Sequence, residues 1–378
     1  MALADSPPAA SCPAAIPATP AAARQLHLDW LRGVAVVIMI TGHAIDSWTA
    51  PGERQRPLFV WTLIVAGGGS ALFLFLAGVA STLAAESRAR RLGGAGAAAM
   101  SVQRRGWQIL LYAFLFRLQS FVLNPRSPAA GLLRVDILNV MGPSIVVTAA
   151  LWRVADTPGG RMLALGVATA ALALVTPVVR SAEWVALLPD PVEWYLRPSQ
   201  GHTNFTLLPW AGFVTAGGVV GLWLHHARGR GLDTRAHVWM ALAGAGLAAL
   251  GWLGSWLPSP YAASSFWTSS PAFFCLRAGL LMMCVSAAYA WVHRRAGLTS
   301  TAPLCRLGLS SLFVYWIHVE IVYGAFSRPL HRSLSLPAVY VAIAVFTLLM
   351  LAAVRVKEDV ASRWRGRRPT LVSPLAKH

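Results

Sequence analysis

Charge is scarce in this sequence. Only 12% of its 378 residues are Asp, Glu, Lys or Arg, while 56% are hydrophobic. A soluble domain of this length needs far more polar surface. Strict alternation of apolar and polar residues is missing too, because the apolar runs are continuous. That argues against a membrane β-barrel and for helices, since lipid offers no partner to an open backbone N–H or C=O. Cysteine is sparse: Cys12, Cys275, Cys284 and Cys305 have no metal spacing and form no disulfide framework. Residues 1–23 contain no Lys or Arg, so they lack the basic start of a signal peptide. This Ala/Pro-rich stretch reads as a disordered tail, with the first span as an uncleaved insertion signal. No internal repeat is evident, and no P-loop, G-x-S-x-G, Rossmann fingerprint or metal box stands in a supporting context.

What is present is a chain of apolar runs with a mean hydropathy of +0.56. The pattern predicts an all-α, polytopic integral membrane protein of about ten spans, near 31–49, 58–84, 104–123, 134–153, 161–179, 204–225, 236–257, 268–291, 306–326 and 335–355. They form one membrane domain over 24–356, followed by a basic tail, 357–378. The net charge of +18 would suggest nucleic acid in a soluble protein. Here no aromatic-basic recognition patch occurs, and the basic residues cluster between runs. Roughly two thirds of Lys and Arg fall on the side that holds the N-terminus. This predicts both termini in the cytoplasm and a multi-pass protein of the inner (plasma) membrane, with membrane lipids as partners and a homo-oligomer left open. The long outer loop, 180–203, mixes Trp and Tyr with carboxylates, which suits a carbohydrate platform or an interfacial belt.

Ionisable residues within spans are costly and mark candidate sites. His43, Asp46, Arg277, His318 and Glu320 are the main cases, with Arg117 and Asp136 at the outer ends of spans 3 and 4. Arg32 and His43 are eleven residues apart, so they share one helix face about 16 Å apart along the axis. Asp46 follows near the same face and could orient the imidazole. His318 lies twelve residues past Arg306 on a span running the same way, at the depth of His43, so the two histidines could line one cavity. Arg277 reaches a similar depth and is a candidate counter-ion for Glu320, as part of a site or as a structural pair. Arg88, Arg90, Arg91, Arg104 and Arg105 gather in one inner loop, where guanidinium groups could hold phosphates or simply set topology. "GGGS" at 67–70 fits close helix packing.

Histidines outside and arginines inside suit acid–base chemistry on an acceptor, with a phosphorylated donor entering from the cytoplasm. Asn139 and Trp210 are candidates to hold the acceptor. A transporter or flippase for a glycan, lipid or proton-coupled solute would use the same buried charges, but no repeat relates the halves and no paired broken helices are visible. A purely structural membrane protein leaves His43 and His318 unaccounted for.

Four segments carry a more specific resemblance. "LDWLRGVAVVIMITGH" holds Arg32, ten residues, then His43, and resembles the first-span motif of the transmembrane acyltransferases. "ALFLFLAGVASTLAA" (71–85) resembles their second-span F-F-x-x-S-G stretch, with Ala77 where serine is common. "FTLLPWAGFVTAGGVVG" (205–221) is similar to the PW-x-G span of bacterial relatives of heparan-α-glucosaminide N-acetyltransferase, and "LGLSSLFVYWIH" (307–318) to the late LG-x-x-S-L-x-x-Y-x-x-H segment. Together they cover most of residues 25–326. The resemblance implies an acyltransferase that takes an acyl group, usually acetyl, from cytoplasmic acyl-CoA to a sugar or glycan across the membrane, without a metal. It implies His43 as the catalytic histidine, His318 as a second active-site member and Arg32 on the donor side. Arg104 and Arg105 as further donor contacts, and the roles that follow, come from the residues alone. Asp46 would assist His43, and Trp210, Asn139 and Glu320 would face the acceptor. No large luminal domain is present, so the lysosomal substrate is not implied, and Ala77 leaves one motif hydroxyl missing.

Overall fold

A computed structural model describes residues 25–123, 128–295, 299 and 302–366. The expected N-terminal tail and the last part of the C-terminal tail lie outside these residues. In chain order the helices are α1 (Leu26–Trp48), α2 (Pro57–Leu92), α3 (Ala95–Leu123), α4 (Ile137–Val154), α5 (Pro158–Ser181) and α6 (Asp190–Leu196). Then come α7 (Leu207–Gly229), α8 (Asp233–Gly254), α9 (Pro271–Arg294), α10 (Pro303–Leu309), α11 (Ser311–Tyr323) and α12 (Leu336–Gly366). Among the described residues there is no strand, only two isolated bridges, Thr49 to Leu334 and Val135 to Thr203.

Nine of these helices are long and apolar enough to cross a membrane. The protein is therefore an all-α, multi-pass membrane protein. Proline at the first turn of α2, α5, α9 and α10 starts those helices where no N–H is needed. At 36 residues α2 is about 54 Å long, well beyond the ~30 Å hydrocarbon core, so its last turns project from the membrane with Arg88, Arg90 and Arg91. Helices α1, α2, α4 and α7 form the interior, while α3, α5, α8 and α12 are mostly exposed apolar surface, as lipid-facing helices must be. Helix α12 continues through 357–366, the first part of the expected tail.

The expected continuous span at 306–326 is instead broken. Helices α10 and α11 meet at Ser310 with a bend of 87°. The cause is tertiary, because α10 lies backbone-to-backbone against α1. A Cβ on Gly33 would stand 1.9 Å from the Leu304 carbonyl oxygen, and one on Gly308 would stand 2.1 Å from that of Asp29. Only glycine permits that approach. Ser310 is fixed further by Lys357 Nζ, which donates to its hydroxyl at 3.1 Å. After the bend α11 runs alongside α1.

The 180–203 loop folds into a short 3-10 turn and α6. Trp194 is buried and stacks on His202 with ring centroids 4.3 Å apart, so this Trp is neither an open sugar platform nor part of an interfacial belt. Trp184 is the exposed one.

Candidate functional site

Helix α1 presents His43 toward α11, which presents His318. The two rings stack, 17° from parallel, and His43 Nδ1 lies 2.9 Å from His318 Nε2. His318 Nδ1 lies 2.7 Å from the carbonyl oxygen of Val314, one turn earlier. A carbonyl only accepts, so with neutral rings the His318 proton is assigned to Nδ1. Its Nε2 then accepts from His43 Nδ1–H, which leaves His43 Nε2 with a free lone pair. His318 is fully buried and does not line the cavity; it stands behind His43.

His43 faces a cavity of about 640 Å³ at this end of the bundle. Asp46 lines the same cavity, but its carboxylate is taken by Arg54 Nη2 at 2.7 Å, with the Tyr323 hydroxyl at 3.4 Å. His318, not Asp46, is thus the hydrogen-bond partner of the His43 ring. Arg117 pairs with Asp136, which also accepts from Asn204 Nδ2 at 2.7 Å. Glu320 lines the cavity with its Oε1 buried and without a hydrogen-bond partner.

The expected Arg277–Glu320 pair does not form. Depth along a span says nothing of direction around it, and Glu320 on α11 faces the α3 side while Arg277 on α9 faces α7. The Arg277 guanidinium lies over the rings of Phe273 (4.3 Å) and Trp210 (5.7 Å). All three line a side compartment of about 420 Å³ that shares Ser70, Thr203, Asn204 and Phe205 with the His43 cavity. Trp210 therefore does stand beside the site. Asn139 does not: it is almost fully buried in the capping box of α4, accepting from the Asp136 N–H at 3.1 Å and donating to the Tyr195 hydroxyl at 3.2 Å. Its role is to end a helix, not to meet a ligand. Burial pushes the Tyr195 phenol above its ordinary pKa. Of the three glycines at 67–69, only Gly69 is pressed against another helix, where a Cβ would meet Ile38 Cγ2 at 2.6 Å.

A second cavity, about 260 Å³, opens at the other end of the same helices and holds Arg32, Arg88 and Arg105. Helix α3 lines it with Val102, Arg105 and Ile109, one face at spacings of three and four. Arg104 is turned about 100° from that face. It is exposed and absent from the cavity, whereas Arg88 of α2 lines it. Ala77 lines this cavity, and Ser81, one turn along, supplies a hydroxyl there. Helices α1, α2, α3, α4 and α11 line both cavities without a shared residue. On α1, fully buried Val36 lies between Arg32 and His43 on their common face.

Among the described residues, nine apolar helices long enough to cross a membrane, enclosing an arginine-lined and a histidine-bearing cavity, define the class: a multi-pass membrane protein with internal cavities. The family model "heparan-alpha-glucosaminide N-acetyltransferase, catalytic" matches residues 24–252, more than half of the chain, and the chain belongs to that family. The matched region includes Arg32, His43, Arg88, Arg105 and Trp210; His318 and Arg277 lie beyond it. No curated protein matches the chain. Sequence reasoning missed Arg54 as the partner of Asp46, although its place just past the end of the first span was a usable signal. It matched the two histidines in depth, but it set them side by side on one cavity, whereas His318 stands in contact with His43, behind it.

Proposed function

We propose that the protein transfers an acyl group, acetyl in the first instance, from cytoplasmic acyl-CoA to a hydroxyl or amine of a sugar or glycan on the other side of the membrane. The observation that carries this reading is the Val314–His318–His43 chain of hydrogen bonds, which presents a lone-pair nitrogen to one cavity while three arginines line another beneath it.

Arg32, Arg88 and Arg105 pair with the phosphates of the donor. The pantetheine arm follows the common face of α1 toward His43, and fully buried Val36, which lines neither cavity, has to move aside for it. His43 Nε2 takes the proton of the acceptor nucleophile as that atom attacks the thioester carbonyl. The C–S bond then breaks, and the proton passes from the imidazolium to the departing thiolate. His318 holds the tautomer, and Asp46 adds a negative charge near the imidazolium as it forms. Trp210 and Phe273 offer aromatic faces to a sugar in the side compartment, with Arg277 beside them. The basic bias of one side supports cytoplasmic termini and a plasma-membrane setting, with the arginine cavity facing the donor. The test is labelled acetyl-CoA added to proteoliposomes of wild type and His43→Ala. Label that stays on CoA, or leaves it equally in both, removes this reading.

The break at Ser310 favours a second reading, since transporters build sites at discontinuous helices. Only one bent pair occurs among the described residues, without a counterpart in the other half. A transporter would move solute across the vesicle without releasing CoA.

A further inference from the structure

The His43 cavity adjoins a further space, a groove of about 650 Å³ between α3 and α11, floored by the turn after α11. The two spaces share Ser120, Glu320, Tyr323 and Gly324. Away from that junction most of its lining is apolar, with Leu123, Ile317, Ile321 and Phe326, while Arg328 and His331 stand on the turn that floors it. Leu123 is 66% exposed and Phe326 is 90% exposed, and Leu118 and Val122 continue the bare apolar surface of α3. In a membrane-spanning helix that surface meets lipid. The groove therefore joins the exposed apolar surface of α3 to the cavity of the reacting histidine, with most of its apolar lining away from the junction.

Among the described residues, one side-chain hydrogen bond crosses its wall. Trp316 Nε1 donates to Gln119 Oε1 at 2.8 Å, and Phe116 stacks edge-on against Trp316. A free sugar needs only the cavity itself. An occupant that fills both spaces must be amphiphilic, with a polar head at Glu320, Ser120 and His43 and a chain lying toward Leu123 and Phe326.

We propose that the acceptor is a lipid-linked sugar, and that its hydrocarbon chain lies in this groove and enters between α3 and α11. This rests on the acyltransferase reading for the word acceptor, while the groove itself can be tested without any transfer.

The probe is an alkyl β-glucoside with a diazirine midway along its chain, mixed with the protein in phosphatidylcholine vesicles and illuminated without acetyl-CoA. The expected adducts fall on Leu123, Ile317 and Ile321 in preference to the lipid-facing residues of α5 and α8. Excess dodecyl maltoside suppresses them and maltose does not. Ile317→Trp fills the groove and lowers labelling about tenfold, the loss expected when roughly two methylene groups can no longer be buried. Gln119→Leu, which keeps the size and removes the hydrogen bond across the wall, raises labelling. Adducts spread evenly over α5 and α8 overturn the proposal, as does equal labelling of the groove by a diazirine phosphatidylcholine, which would mark a bulk-lipid site. Groove labelling without acetyl transfer in the proteoliposome assay removes only the enzymatic reading; transfer without groove labelling removes only this one.

Discussion

His43 Nδ1 lies 2.9 Å from His318 Nε2 although the two residues are 275 positions apart in the chain. The contact ties the first span to the helix that follows the break, and it sets which nitrogen of His43 is free. Changing His43 to Ala should lower transfer by about 10²–10⁴-fold, the usual worth of a positioned acid–base group. His318→Ala should lower kcat with little change in KM for acetyl-CoA, because His318 orients His43 without reaching the cavity. Steady-state kinetics on both variants checks this. A His318 variant with normal kcat would remove its positioning role.

The two neighbouring arginines of α3 should behave differently. Arg105→Ala and Arg32→Ala each remove a guanidinium from the donor cavity and should raise KM for acetyl-CoA at least about tenfold, the value of a charge-assisted hydrogen bond. Arg104→Ala should leave it within about twofold, because its side chain points away. Titration of initial rates against acetyl-CoA distinguishes the three.

The outer charges divide in the same way when stability is measured. Arg117→Gln leaves Asp136 buried without its ionic partner, a change that costs about 3–5 kcal/mol. Arg277→Gln breaks no ion pair and should leave the unfolding midpoint in detergent close to that of the wild type. An equal loss in both variants would mean that Arg277 holds a carboxylate after all.

Gly308→Val tests the backbone contact between α1 and α10. The added atoms would enter the space of the Asp29 carbonyl, and overpacking of this kind costs about 1–3 kcal/mol or more. Thermal unfolding should shift downward, and with it the His43–His318 register. Unchanged unfolding and activity would show that the two helices can separate freely.

Much of this arrangement was legible beforehand. Continuous apolar runs fix where a chain crosses lipid, because the backbone has no other choice there. The shared face of Arg32 and His43 follows from helical geometry alone, and the structure places the two in separate cavities. Other features needed tertiary contacts. The run at 306–326 is apolar throughout, and its break depends on α10 seating against Gly33 of α1. Arg277 and Glu320 matched in depth but not in direction. Arg104 and Arg105 were equivalent as members of a basic cluster, and only the buried side of α3, with Val102 and Ile109, tells them apart. Asn139 reads from the sequence as a candidate to hold the acceptor, yet its amide meets the Asp136 N–H at the start of its own helix and the Tyr195 hydroxyl on α6.

Helix α11 is only 13 residues long, and it walls three of the four spaces, all but the side compartment. Ser311 and Leu312 border the arginine cavity, Tyr315 and Glu320 the histidine cavity, and Ile317 and Ile321 the groove toward the lipid. Its one rigid neighbour in sequence, α10, is clamped to α1, so Ser310 is the axle on which it would tilt. Any tilt that a molecule in one chamber prefers is felt by the occupants of the other two. Reciprocity of binding then requires that each pair of occupants help or hinder one another by one and the same factor.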